Sequence, residues 1–388
     1  MAVHDGCQEN ASYDGVPVGV QDTDPLSEGT ERVTGEDLLL AAGDPTLTAR
    51  RLEFWRHQGL LPKAQRTGQH GKHPQWSYPP EALDQLAALQ HLRTKTKDPD
   101  LLRTALWFEG FPIDTRRVGT SIAAVLDRHL KAILKEVDKR RVPGLAPEEA
   151  NWAALEQIGR LLARRRGPKA LPRFGRQRSE ERERAMALAL GLALGDEATA
   201  ARLEDDGGQL ERMLGVDRGR RSRAGLPAWL EGPPGDGLEV FANFGSLPAL
   251  IGAVKDATEE ELMASRRLAR IVLDGVTAVT RIATAVVGVD NPVGFGGLAY
   301  FRDDPVTVSW LLAFLVGVGR SSMLSENLRT VVDSLSQNVL PIDARARELA
   351  RLSEDELRNR FPDLEGLPFI EQVRLKSLIA EYRSEAHH

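Results

Sequence analysis

The chain has 388 residues, a formal net charge of −5, 41% hydrophobic and 5% aromatic residues, and a single cysteine, Cys7. That length exceeds one ordinary domain, and a lone cysteine excludes an internal disulfide framework and the cysteine chemistry of metal and redox sensors. The small net charge says little about partners, because opposite charges are segregated along the chain.

Residues 1–31 hold seven acids and no Lys or Arg. Without hydrophobic periodicity, they read as a disordered acidic tail, either inert or a weak competitor for the basic stretch that follows. The first Lys or Arg is Arg32 and no apolar stretch precedes it, so no signal peptide is expected and the expected location is cytoplasmic. Thr34 to Ala42 reads as a short helix with Thr34 as its cap, acids in its first turn and Gly43 at its end.

After a Gly-Asp-Pro turn, residues 48–58 read as a second helix, capped by Thr48 and stopped by Gly59. Leu52 and Trp55, three apart, bury together, whereas Arg50, Arg51 and Arg56 are spread over the remaining surface. Such a helix suits a DNA major groove, where arginines reach phosphates and guanine edges. A solvated surface helix shows the same charge pattern, so context decides. Residues 49–78 hold six Lys or Arg against one acid, Glu53. Their second half, 63–78, is rich in Gly, Pro and basic residues and reads as a β-hairpin carrying Lys63, Arg66 and Lys72. A third helix follows from Pro80 to about Leu92, with Leu83, Leu86 and Leu89 spaced for burial.

In this order the pieces resemble the winged helix-turn-helix domain of the mercury-resistance regulator (MerR) family, over about residues 33–118. The resemblance rests on Thr48, the ARRLEFW helix with Phe54 and Trp55, the turn Gly59-Leu60-Leu61-Pro62, a wing closing on Tyr78, and Gly110-Phe111-Pro112-Ile113-Asp114. It implies that Arg50 and Arg51 enter the major groove, Arg66 serves the wing and Trp55 approaches a phosphate. Three features depart from the family pattern. The turn Asp44 to Leu47 is long, and Glu53 stands where a basic residue is common and would face phosphate unfavourably. Trp76 and Ser77 hold the wing exit in place of an arginine, and about fourteen additional residues precede Gly110.

His70 and His73 have a metal-compatible spacing but no Cys or carboxylate nearby, so neither metal nor cofactor is expected. Val118, Ile122, Val125, Leu126, Leu130, Ile133 and Val137 form a helical stripe, open to two readings: a dimerising helix, as in the family, or one packed within the chain. A helix follows over 147–166, with Trp152, Leu155, Ile158, Leu161 and Leu162 inward. Residues 160–178 carry eight Lys or Arg and no acid; they are a solvated linker or a second DNA-backbone contact. Residues 185–203 read as helix and 215–237 as linker.

Residues 257–288 read as one long helix. The apolar run 306–318 is too short for a bilayer and reads as a central core helix. Two or three further helices are expected, including 354–360 and 369–383. Trp310, Phe314, Phe295 and Tyr300 are core residues or the walls of an effector pocket. Gly317-Val318-Gly319-Arg320 follows a helix rather than a strand, so no phosphate-cradling loop is expected, and no catalytic constellation emerges.

The expected fold is mainly α: an N-terminal winged helix-turn-helix with a small β-hairpin wing, then an all-helical C-terminal region. The expected boundaries are a tail over 1–31, the winged module over 32–118, a helical region over 119–214 with a basic linker at 160–178, a linker over 215–237 and a helical domain over 238–388. The expected function is that of a DNA-binding transcriptional regulator, not an enzyme, with Thr48, Arg50, Arg51, Trp55, Arg56, Lys63, Arg66 and Lys72 at the DNA. Double-stranded DNA is the expected partner of a homodimer, with a small-molecule effector or another protein at the C-terminal helices and no membrane contact. The alternative is an architectural or adaptor DNA-binding protein whose C-terminal helices bind another protein.

Overall fold

The computed structural model describes residues 32–70, 73–164, 179–203, 245–287 and 304–353, with residues 356, 376 and 379. The expected acidic tail, Lys72, most of the basic linker, the 215–237 linker, Phe295, Tyr300 and the helices at 354–360 and 369–383 lie outside these residues or almost wholly so. Within them the fold is mainly α with one small antiparallel sheet, as expected.

The chain opens with β1 (Val33–Thr34) and α1 (Gly35–Ala42). Thr34 Oγ1 accepts from the Asp37 amide at 3.2 Å while the Asp37 carboxylate accepts from the Thr34 amide at 2.8 Å. Together they satisfy two amides that the first helical turn leaves without partners. Gly43, at φ 59°, closes α1 in the left-handed region. Then come α2 (Ala49–His57), β2 (Gln65–His70), β3 (His73–Tyr78) and α3 (Ala82–Lys95). The central strand is β3, pairing with β1 through Val33–Tyr78 and with β2, whose ladder is irregular between Arg66 and Gly68.

The residues between α3 and Gly110 form a helix, α4 (Pro99–Glu109), which is not among the expected elements. Its signals are local: Asp98 Oδ1 caps the Asp100 amide at 2.9 Å, Pro99 stands in the first turn, and Gly110 ends the helix at φ 118°. Its side chains from Leu101 to Phe108 are all buried. Its polar residues Asp100, Arg103 and Thr104 recur three and four apart, an amphipathic spacing present in the sequence, yet Arg103 and Thr104 are covered as well.

Helix α5 (Thr115–Asp138), capped by Asp114, buries Val118, Ile122, Val125 and Leu126 and packs along α4. Of the two readings of this stripe, packing within the chain is the one observed. Beyond it, α6 (Pro147–Arg164), α7 (Ser179–Leu194) and α8 (Glu197–Ala201) make a second core around Trp152, Leu155, Leu188 and Leu203, which Val137 of α5 joins. Gly159 lets α6 and α7 approach closely, since a Cβ there would lie 2.6 Å from the Glu183 carbonyl. The helix expected over 185–203 starts earlier and breaks at Gly195, whose φ of 71° takes the chain out of helix.

Five further helices follow: α9 (Leu247–Lys255), α10 (Glu259–Val287), α11 (Pro305–Gly319), α12 (Ser322–Ser334) and, beyond one π-turn (Leu335–Val339), α13 (Leu340–Ala350). The apolar run is α11, as expected, with Val308, Leu312, Ala313, Leu315 and Val316 buried. It packs on α4, α5, α9 and α10. Leu262 of α10 seats on Gly119 of α5, where a Cβ would be 3.1 Å away. One apolar core therefore runs without interruption from Val33, through α2 to α5, to Val316. No helix among the described residues is long and apolar enough to cross a membrane.

Candidate nucleic-acid interface

Helix α2 has two sides of different chemistry. At about 100° per residue, Arg50, Glu53, Phe54 and His57 share one face, with Arg51 at its flank, and Leu52, Trp55 and Arg56 point the other way. Burial follows that division. Leu52 and Trp55 are each 3% exposed, whereas Arg50, Arg51, Glu53, Phe54 and His57 are exposed. Thr48 Oγ1 accepts from the Arg51 amide at 3.3 Å and caps the helix, so this threonine orders the backbone that carries the two arginines.

Two of the residues expected at DNA serve the interior instead. Trp55 is not at the surface: its ring lies in the core, and the Arg93 guanidinium stacks 4.8 Å from its centroid. Burial lowers the Arg93 pKa from the ordinary arginine value, and the nearby Arg51 charge adds to the effect. Arg56 is folded down, with its side chain 17% exposed and its guanidinium 4.2 Å from the centroid of Trp76 on β3. Trp76 thus forms with Arg56 a stacked joint between α2 and the hairpin.

Glu53, the one acid of α2, has local partners. Glu53 lies 3.7 Å from Arg56 and 3.8 Å from His57, within the same helix. Its charge is thereby partly offset before any ligand arrives. The long turn ahead of α2 is ordered by Asp44, whose carboxylate accepts from the Thr46 amide and hydroxyl at 2.8 and 2.7 Å. Those bonds hold the Asp44 carboxyl below its usual pKa.

Arg50, Arg51, Lys63 and Arg66 are all exposed, as the sequence reading expects of groups that meet a phosphate backbone. Lys72 lies outside the described residues. Phe54, which the sequence reading treats only as half of an aromatic pair, is the unexpected member of the face, at 54% exposed. Its signal was available in the helical spacing, because Phe54 falls four residues from Arg50 and opposite Leu52. His70 and His73 face each other across the hairpin ladder. No group of three or more His, Cys, Asp or Glu among the described residues is arranged to hold a metal ion.

At its far end α2 is fastened from two helices. Arg103 of α4 donates through Nε and Nη2 to the Gln58 carbonyl at 3.2 and 2.7 Å, and Gln85 Nε2 of α3 donates to the Leu60 carbonyl at 3.0 Å. Between them Gly59 turns at φ 68°.

Of the four aromatic residues read as core or as pocket walls, the two described are packed. Trp310 and Phe314 lie against the main core, and Trp310 Nε1 donates to His129 Nδ1 of α5 at 3.2 Å. Burial, helped by the adjacent Arg128 charge, lowers the His129 pKa. The clefts lie elsewhere. One of about 430 Å³ is lined by Phe108, Arg270, Asp274 and Val308, and a broader one of about 1120 Å³ lies between α5 and α10. Comparison with protein-family models, curated proteins and solved structures gives no match.

Proposed function

We propose that the chain is a sequence-specific DNA-binding transcriptional regulator. In this reading residues 32–118 form a MerR-like winged helix-turn-helix, α2 enters the major groove and the β2–β3 hairpin is the wing. The observation that carries it is the outer face of α2, where Arg50 and Arg51 stand exposed beside Phe54 on a helix whose opposite face is buried. An exposed apolar side chain is commonplace by itself, as at Leu40 and Ile342; the weight lies in the place of Phe54 between two arginines and a histidine. In a groove, the ring has a partner in the thymine methyl group and the arginines have guanine edges and phosphates.

The Arg56–Trp76 stack and the Gln58 and Leu60 anchors support this reading, because base readout needs a helix held at a set angle to its neighbours. The C-terminal helices then serve dimerisation or the binding of an effector.

Selection from a random duplex library with the full chain tests the reading. Enrichment of one sequence is expected, and Arg51→Ala should weaken binding to it by about 1–3 kcal/mol, whereas Arg66→Ala should weaken all duplexes about equally. A library that emerges unenriched, with weak and steeply salt-dependent binding, would favour an architectural or adaptor protein.

A further inference from the structure

The carbonyls at the end of a helix have no partners within it, and α2 ends in the middle of the fold. There the Gln58 carbonyl receives two donors from a single guanidinium, that of Arg103, whose side chain is 11% exposed. The third nitrogen of the same fork, Nη1, donates to Asp100 Oδ1 at 3.0 Å and to Ser121 Oγ of α5. Asp100 in turn accepts from Arg128 of α5 through its other oxygen at 2.9 Å, and Arg128 also pairs with Asp98 at the start of α4. The Arg103 guanidinium thus joins the end of α2, the first turn of α4 and Ser121 of α5, and Asp100 extends the network to Arg128 two turns further along α5.

We propose that Arg103 is the positioning residue of the DNA-reading helix, fixing the angle of α2 to α5 and so separating sequence-specific from non-specific binding. The inference rests on the DNA-binding reading above. The geometry favours orientation over general support. Trp55 and Leu52 already bury the α2 face, and apolar contacts resist separation more than small rotations, whereas a bidentate fork is directional. Non-specific affinity comes from charges on the outer face, which tolerate a helix a few degrees out of place. Base contacts do not. Helix α5, on which α9 and α11 pack, is thus hydrogen-bonded to α2 through Ser121 and Arg103, and through Arg128, Asp100 and Arg103.

The test uses the full chain with Arg103→Met, which keeps the apolar stem and removes every donor, and Arg103→Lys, a milder change that retains the charge. Affinity for the selected duplex and for random duplex is measured beside amide hydrogen exchange without DNA. Arg103→Met should lose roughly 10- to 100-fold on the selected duplex and under about 3-fold on random duplex. The Gly59 and Leu60 amides, which close the end of α2 on Arg56 and Trp55, should exchange faster, while those of α10 hold their rates. Arg103→Lys should fall between wild type and Arg103→Met.

Equal losses on both duplexes, with faster exchange throughout α3, α4 and α10, would make Arg103 a residue of general stability and overturn the proposal. Unchanged exchange at Gly59 and Leu60 in both variants would overturn it as well. If wild-type protein shows no sequence preference, the DNA reading fails by itself, and the exchange of those two amides still decides whether Arg103 orients α2.

Discussion

Alanine at Phe54 and at Trp55 should separate the two faces of α2, because adjacent aromatic residues there have opposite surroundings. Trp55 is 3% exposed and stacked under Arg93, whereas Phe54 is 54% exposed. A buried tryptophan removes about 200 Å² from water. At about 25 cal/mol per Å² that amounts to about 5 kcal/mol, an upper figure because an unfolded chain hides part of the same surface. Trp55→Ala also opens a cavity under α2, so a loss of about 3–5 kcal/mol is expected. Phe54→Ala leaves no cavity and should change stability by less than about 1 kcal/mol. Its effect belongs to binding, where losing a contact to a thymine methyl should weaken the selected duplex by about 1 kcal/mol, roughly fivefold. Urea unfolding followed by circular dichroism gives the first pair of numbers, and anisotropy of a labelled duplex gives the binding. The assignment of faces is refuted if Phe54→Ala costs more than Trp55→Ala in urea.

Two further outcomes follow from the geometry. Gly59→Ala forces an L side chain to φ 68° and brings its Cβ to 3.2 Å from Arg117 Nη1, so a loss of about 1–2 kcal/mol is expected; a thermal midpoint equal to wild type would show that the turn relaxes freely. Glu261 is held at a pKa of about 2, against an ordinary 4.5, first by hydrogen bonds from Arg320 and then by the Thr258 amide. A depressed carboxylate stabilises the fold above the unfolded pKa, so this contribution should be complete above about pH 4.5 and lost as the pH falls towards 2. Both partners are about a third exposed (34% and 35%), so solvent screening keeps the contribution to about 1 kcal/mol at most. Glu261→Gln should flatten that part of the stability profile, and a slope identical to wild type would remove Glu261 as its source.

Much of the fold was legible because its signals are local. Thr34 and Thr48 as caps, Gly43 and Gly59 as stops, and the spacing of Leu52 with Trp55 required only neighbours a few residues away. The spaced apolar stripes of α5 and α10 were equally readable, since each helix shows solvent a polar side. Helix α4 was readable in the same way, through Asp98 and Pro99 at its start and Asp100, Arg103 and Thr104 three and four apart; only the fold shows that this polar side is covered too. The break at Gly195 was missed because a glycine is tolerated inside a helix: Gly195 alone did not mark the end that its φ of 71° and the backbone bond from Asp196 to Gly191 make.

The sequence by itself determined which helix would be cationic and which residues of α2 could not face water. It determined neither the roles of the individual cations nor what fastens the helix. Arg50, Arg51 and Arg56 look alike in a charge pattern, yet Arg56 stacks on Trp76, and Arg103, with no motif around it, reaches 45 residues back to the Gln58 carbonyl. The reason is physical. Helical period and caps act over one or two turns, whereas the use of a long cationic side chain depends on which unpaired carbonyl or aromatic face the folded chain brings within its reach.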